Sequence, residues 1–103
     1  AAENSRGDKR RALMVELARR HYLLAMEFDR RQLSERSAFH FSSSLEVAPT
    51  NPSVHNDFGS SLARRGLFKE GAHHFMEALR LKPDFPLAKE NLAKAQRLLE
   101  QSK

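Results

Sequence analysis

The most constraining feature of this sequence is an internal repeat, because the chain matches itself when it is shifted by 34 residues. Residues 18–51 then align with residues 52–85 without a gap, and nine of the 34 pairs are identical. A repeat of this length is typical of arrays in which one supersecondary unit stacks on the next. The identical pairs are His21/His55, Arg30/Arg64, Arg31/Arg65, Leu33/Leu67, Ala38/Ala72, His40/His74, Phe41/Phe75, Leu45/Leu79 and Pro49/Pro83.

Each repeat has the apolar spacing of helices. Apolar residues recur at steps of three and four, which places them on one face of a helix. In residues 68–81 this face carries Phe68, Ala72, Phe75 and Leu79. The pattern therefore favours an all-α fold.

Residues that typically begin or end helices occur at the boundaries that two helices per repeat would have. Asn51 before Pro52 is typical of an N-cap followed by proline at the first helical position. Gly66 is typical of a C-cap, and Pro83 disfavours the helical conformation of the residue before it. These signals place helix ends near residues 51, 66 and 82.

Five helices follow from the periodicity and the end signals. Ser34 is predicted to cap the second helix and Asp84 the fifth. The predicted helices cover about residues 8–31, 35–47, 53–65, 68–81 and 86–102.

Residues 52–85 closely resemble the tetratricopeptide repeat family, whose period is also 34 residues. The family's leucine–glycine pair, inter-helix glycine, small–large–small series and final proline all have counterparts in this segment. The residues that carry the resemblance are Phe58, Gly59, Leu62, Gly66, Gly71, Phe75, Ala78 and Pro83. Residues 18–51 are similar to a degenerate repeat, and residues 86–102 to the helix that closes such arrays. The departures are His21 and His55, where the family commonly has an aromatic residue, and Gly71, where it usually has alanine.

The resemblance implies a right-handed α-solenoid of antiparallel helix pairs. The expected organisation is a disordered segment at 1–7 and a domain at 8–103. Two repeats and a closing helix are few, because about three repeats are usually needed to bury a continuous core. Either the chain is part of a longer array, or two copies pair through the open N-terminal side. The start at Ala1 favours a processed form or an excised piece.

Composition bounds the chemistry that this chain supports. No cysteine is present, which excludes disulfides and thiol catalysis but leaves the compartment undetermined, with the cytoplasm slightly favoured. No apolar run is long enough to span a bilayer, so we expect a soluble segment without a transmembrane helix. A nucleophile elbow and a glycine-rich phosphate loop are both lacking, so we predict that the chain is not an enzyme and needs no cofactor.

The five histidines do not predict a metal site. Four of them are repeat equivalents, so duplication explains their positions without a ligand role. The side chains of His73 and His74 diverge by about 100° on a helix and cannot chelate from one face. We therefore expect no metal.

The basic excess does not predict nucleic-acid binding. The chain has 18 Lys and Arg against 13 Asp and Glu, and the excess is spread along the sequence without interleaved aromatic residues. Solvated helix faces and helix C-termini account for the paired arginines.

The family resemblance implies a concave groove that holds a peptide or a partner helix, lined mainly by the first helix of each repeat. The expected ligand is acidic and has hydrophobic anchors, because the groove positions combine cations with a small apolar patch. Those positions are Arg19, Tyr22, Met26, Arg30, Asn56, Ser60, Arg64, Lys94 and Arg97. The leading hypothesis is a non-catalytic protein-interaction module that acts as a scaffold or adaptor. The alternatives are a regulatory or scaffolding C-terminal tail of a larger bacterial membrane-associated transferase and a self-assembling oligomer.

Overall fold

The computed structural model describes residues 2–102, with side chains from residue 5 onwards. These residues form five helices and no strand: α1 (Ala2–Arg30), α2 (Ser34–Val47), α3 (Pro52–Arg64), α4 (Phe68–Leu81) and α5 (Pro86–Gln101). The prediction of an all-α fold with five helices is confirmed.

The start of α1 differs from the prediction. This helix begins at Ala2, whereas the sequence predicted disorder over residues 1–7 and a helix from about residue 8. Proline is absent from the whole α1 segment, and its one glycine, Gly7, costs only about 1 kcal/mol in a helix interior. Helix propagation is therefore not interrupted there. Ala1 and Lys103 lie outside the described residues.

The chain divides into two compact units, Ala1–Pro49 and Thr50–Lys103. In the first unit α1 packs against α2 as a helical hairpin. In the second unit α3 packs against α4, and α5 packs mainly against α4.

The first hairpin is held by small residues and by two serine hydroxyl groups. Ser37 Oγ donates to the carbonyl oxygen of Ala25 at 2.9 Å, and Ser44 Oγ donates to that of Ala18 at 2.8 Å. All four residues are buried, and Phe41 fills the space between the two serines along α2. Because each hydroxyl finds an acceptor on the opposite helix, burial leaves no serine donor unsatisfied.

The second hairpin brings two backbones into direct contact through glycine. A β-carbon at Gly71 would lie 2.8 Å from the carbonyl oxygen of Gly59. One at Gly59 would lie 2.6 Å from the Phe75 ring, which is itself buried. Ala72, Phe75 and Ala95 form the core, and Leu92 of α5 packs against it. Phe58, Leu62 and Ala78 are buried as well.

Both hairpins turn with the same backbone hydrogen bonds. The amide of Leu33 donates to the Phe28 carbonyl at 2.9 Å, and the amide of Leu67 donates to the Leu62 carbonyl at 3.0 Å. The residue before each leucine is left-handed, with φ of 62° at Gln32 and 83° at Gly66. Glycine adopts this conformation without a steric cost, whereas glutamine does not.

One predicted N-cap is present and two are absent. Asn51 Oδ1 accepts from the amides of Ser53 at 3.0 Å and Val54 at 3.4 Å, as an N-cap does. Ser34 is instead the first residue of α2, and Asp84 lies one residue before the N-cap position of α5. Leu33 and Phe85 occupy the two cap positions, and no side chain caps either helix there. The tight turn that ends at Leu33 and the proline at the start of α5 set these boundaries.

Candidate functional site

The groove residues predicted in the first unit lie along one face of α1. Arg19, Tyr22, Met26 and Arg30 follow one another at steps of three and four, so their side chains share this face. Met26 is exposed, and the half-buried Tyr22 ring has its centroid 6.4 Å from that of Phe41 on α2. We call these four residues the α1 stripe. It has an apolar centre with an arginine at each end.

The arginines of the α1 stripe are positioned by glutamates on the same helix. An Arg30 Nη2 hydrogen bond of 2.6 Å reaches Glu27, and Arg31 Nε donates to the same carboxylate at 2.9 Å. Hydrogen bonding from Arg30 lowers the pKa of Glu27, and the charges of both arginines act in the same direction. Arg19 approaches Glu16 at 4.0 Å. Exposed pairs of this kind add little to stability, so an anionic ligand can compete for these guanidinium groups.

The groove residues predicted in the second unit divide into a polar contact and a set of exposed cations. Asn91 Nδ2 donates to Asn56 Oδ1 at 3.1 Å and to Ser60 Oγ at 3.3 Å. Asn56 is only 2% exposed, so its amide ties α5 to α3 and does not present itself on an open surface. The cations Arg64, Lys94 and Arg97 are exposed on α3 and α5.

The contact of Asn91 was not predicted from the sequence. The residue is half-buried on α5, one turn from the buried Ala88 and Ala95. An asparagine beside the apolar face of a helix is a usable signal for such a contact, because a buried amide needs partners. The identity of those partners depends on how α5 packs, which helical periodicity does not encode.

Each unit also contains a pair of histidines bonded through Nδ1. The Nδ1 atoms of His21 and His40 are 2.9 Å apart, and those of His55 and His74 are 3.1 Å apart. The ring centroids are 5.2 Å and 5.4 Å apart, so in each pair the two nitrogens lie close to the line that joins the rings. We call these the first and second histidine pairs. In a neutral pair one ring carries its proton on Nδ1 and the other on Nε2.

This geometry suits a hydrogen bond and not a bridging metal ion. A transition metal bound in line by two imidazoles at about 2.0–2.1 Å each would require nitrogens about 4 Å apart. Within residues 5–102, whose side chains are described, no group of three His, Asp or Glu side chains is placed to hold a metal.

One histidine of each pair, His40 and His74, has a lowered pKa because it is packed between helices. The pKa of His74 is lowered to about 4, mainly by burial and then by the nearby His55 and His73, while Glu77 opposes them. Burial also lowers the pKa of His40, with a smaller contribution from His21. Protons on both of the facing Nδ1 atoms would break the hydrogen bond of a pair. The sequence signal that was missed is the spacing of 19 residues between the partners in both repeats.

None of the described helices combines the length and the apolar character needed to cross a membrane.

No protein-family model matches this chain, and no curated protein matches it. The resemblance to the tetratricopeptide family therefore depends on the residues of the chain itself.

Proposed function

We propose that this chain is a non-catalytic protein-interaction module of the tetratricopeptide type, with its helix pairs stacked as a right-handed solenoid. Its role is to hold an acidic peptide or partner helix that has hydrophobic anchors. The observation that carries the proposal is the α1 stripe, in which Tyr22 and the exposed Met26 lie between Arg19 and Arg30.

The helical hairpins support this proposal. In α1, Ala18 and Ala25 face α2. Of the α1 stripe only Tyr22 has its ring close to α2, and Arg19, Met26 and Arg30 are exposed. Packing within the hairpin therefore leaves most of the stripe exposed. The positions predicted for the same role in the second unit include Ser60 and Arg64 of α3.

The chemistry of the surface defines the ligand. Arginine pairs with carboxylates through two parallel hydrogen bonds, and an apolar side chain gains free energy by leaving water for the Tyr22–Met26 surface. A peptide with acidic residues on either side of a leucine or phenylalanine satisfies both requirements. Affinity that depends on such cations decreases as salt is added.

Charge reversal with a matched control tests this function. The test variant is Arg30→Glu with Arg64→Glu, and the control is Arg80→Glu with Arg65→Glu. Arg80 is a suitable control because it pairs with Glu77 three residues earlier, as Arg30 does with Glu27. The probe is a set of fluorescein-labelled peptides with glutamates on either side of leucine or phenylalanine, measured by fluorescence anisotropy at low and high salt.

We expect the test variant to bind about tenfold more weakly, with a smaller salt dependence, while its melting temperature falls by at most a few degrees. The control should bind within twofold of the wild type. Equal binding by the test and control variants would contradict an acidic ligand on this surface.

Self-assembly is a second candidate that one observation favours. Leu13, Leu17 and Leu24 lie along one side of α1 at helical spacing, and all three are exposed. A second copy that packed on this side would bury them. Light scattering over a range of concentrations tests this alternative, because a monomer at every concentration contradicts it.

A further inference from the structure

The first unit has a groove where α2 ends alongside α1. The helices are antiparallel, with Ser37 bonded to Ala25 and Ser44 bonded to Ala18, so the end of α2 at Val47 lies level with Val15. Within this unit, the described residues place no second helix opposite the earlier part of α1. From about residue 15 back to residue 5, the face of α1 that α2 covers further along is therefore not covered by another helix of this unit.

The groove has an apolar floor and two arginines. Its volume is about 350 Å³, and Met14, Val15, Val47 and Ala48 supply the apolar lining, with Arg10 and Arg11 completing it. Val15 is 65% exposed, so a large part of this lining is in contact with water. Covering it would remove apolar surface from water, at about 25 cal/mol for each Å².

The two arginines of this groove differ from the other arginines of α1 that follow it. Arg19, Arg20 and Arg30 each lie within 4.0 Å of a glutamate oxygen on the same helix. No such pair joins Arg10 or Arg11 to any side chain in the described part of the chain. The groove therefore combines an exposed apolar floor with two guanidinium groups that lack a carboxylate there.

We infer that this groove docks an amphipathic helix from a partner protein, with leucine-like side chains on the apolar floor and acidic side chains paired to Arg10 and Arg11. Two observations favour a helix as the occupant. The groove continues the helix-on-helix interface of α1 and α2, so a helix placed in line with α2 meets the same face of α1. The charge of the groove is complementary to acidic residues on that helix.

This inference concerns a different surface from the α1 stripe and does not depend on it. The groove residues lie at positions 10–15 and 47–48, whereas the stripe covers positions 19–30 of α1. The two sites can therefore be tested with separate variants.

The test uses the full chain and a fluorescein-labelled synthetic helix with leucines along one face and glutamates beside them. A scrambled peptide of the same composition lacks the apolar face and serves as the ligand control. The charge variant is Arg10→Glu with Arg11→Glu, and its matched control is Arg6→Glu with Lys9→Glu on the same helix outside the groove. Val15→Asn tests the floor, and Leu13→Asn, at a residue that is 71% exposed and does not line the groove, is its control.

We expect the charge variant to weaken binding about tenfold and Val15→Asn to weaken it about fivefold. Both controls should stay within twofold, and amide shifts on peptide addition should concentrate at residues 10–15 and 47–48. Variants at Arg30 and Arg64 should leave this binding intact, so failure here is distinguishable from failure of the proposed function.

Several results would overturn the inference. One is equal binding of the scrambled peptide, and another is equal loss in the charge variant and its control, which would indicate non-specific attraction. Binding of dodecanoate without binding of the helix would assign the groove to a small amphipathic carboxylate. A dimer that only the charge variant disrupts would assign it to a second copy of the chain.

Discussion

The α1–α2 hairpin and the α3–α4 hairpin share a backbone plan but differ in how the two helices meet. Where the second hairpin has Gly71 against the Gly59 carbonyl, the first has Ser37, whose hydroxyl donates to the Ala25 carbonyl at 2.9 Å. Ser44 likewise occupies the position of Ala78, and it too donates across the hairpin. In the second hairpin the contact has no side chain between the two backbones. In the first hairpin a serine side chain lies there and donates a hydrogen bond. The comparison shows that a residue pattern can degenerate while the contact is preserved by different chemistry.

The hairpins also differ in what their first helices leave exposed. Leu24 of α1 is 44% exposed, whereas its equivalent Phe58 in α3 is 7% exposed. The exposed Arg20 stands where α3 has the buried Val54. The first hairpin therefore presents more apolar and cationic surface, and both proposed binding sites use it.

The largest expected effect tests the backbone contact of the second hairpin. Gly59→Ala should lower the free energy of unfolding by about 1–3 kcal/mol, because the new methyl group would lie 2.6 Å from the Phe75 ring and 2.9 Å from the Gly71 carbonyl oxygen. Gly7→Ala is the matched control, because a β-carbon there meets only the Arg11 guanidinium at 3.8 Å. The control should stabilise the protein by up to about 1 kcal/mol. Urea unfolding measures both, and a neutral Gly59→Ala would mean that the helices are further apart than described.

The lowered pKa of His74 should make stability depend on pH. The unfolded chain takes up protons near the ordinary histidine pKa of 6.5, whereas the folded state holds the pKa of His74 at about 4. Stability is therefore complete above pH 6.5 and decreases as the pH falls towards 4. With allowance for solvent screening of the partly exposed ring, the loss is about 1–2 kcal/mol.

Two variants of α4 test whether this pH dependence comes from His74. In thermal unfolding from pH 7 to pH 4, His74→Gln should flatten the decrease in stability. His73→Gln replaces an exposed imidazole on the same helix and should keep most of the decrease. An unchanged decrease in His74→Gln would assign the effect to other groups.

The serine contacts of the first hairpin should have a smaller effect. Ser44→Ala installs the residue that the second hairpin has at this place and removes the hydrogen bond to the Ala18 carbonyl. It should be about 1 kcal/mol less stable than Ser42→Ala, a control at an exposed position of the same helix. If the two variants are equally stable in urea, the hydroxyl does not contribute to the hairpin.

The smallest expected effect tests the turns. Gln32 is left-handed where the second hairpin has Gly66, so Gln32→Gly should stabilise the protein by about 0.5–1 kcal/mol. Gln96→Gly, at an exposed position inside α5, should destabilise it by a similar amount. A change of the same sign in both variants, measured by thermal unfolding, would contradict strain at Gln32.

Signals within single helices predicted most of the fold. Asn51-Pro52, Gly66 and Pro83 placed the ends of α3 and α4 within one residue, because caps and turn residues act locally. Ser34 and Asp84 were misassigned as caps because a turn or a proline fixed the helix start before the polar side chain could cap it.

Features that depend on two helices were not predictable in the same way. The histidine pairs and the Asn91 contact require the register of one helix on another, which the periodicity of a single helix does not contain. To predict the groove at the end of α2, one must know how far α1 extends beyond that end, which also depends on how the two helices pack. Asn56 was expected on an open surface for the same reason, and its burial followed from the packing of α5.

Nitrogen NMR of the imidazoles is the sharpest test of whether the two hairpins share one backbone plan with different side chains. We expect scalar coupling across a hydrogen bond between the Nδ1 atoms of His21 and His40, and a second such coupling between His55 and His74. One ring in each pair should carry a proton on Nδ1 at neutral pH. Absence of both couplings, with all four rings protonated on Nε2, would mean that the hairpins do not share this plan.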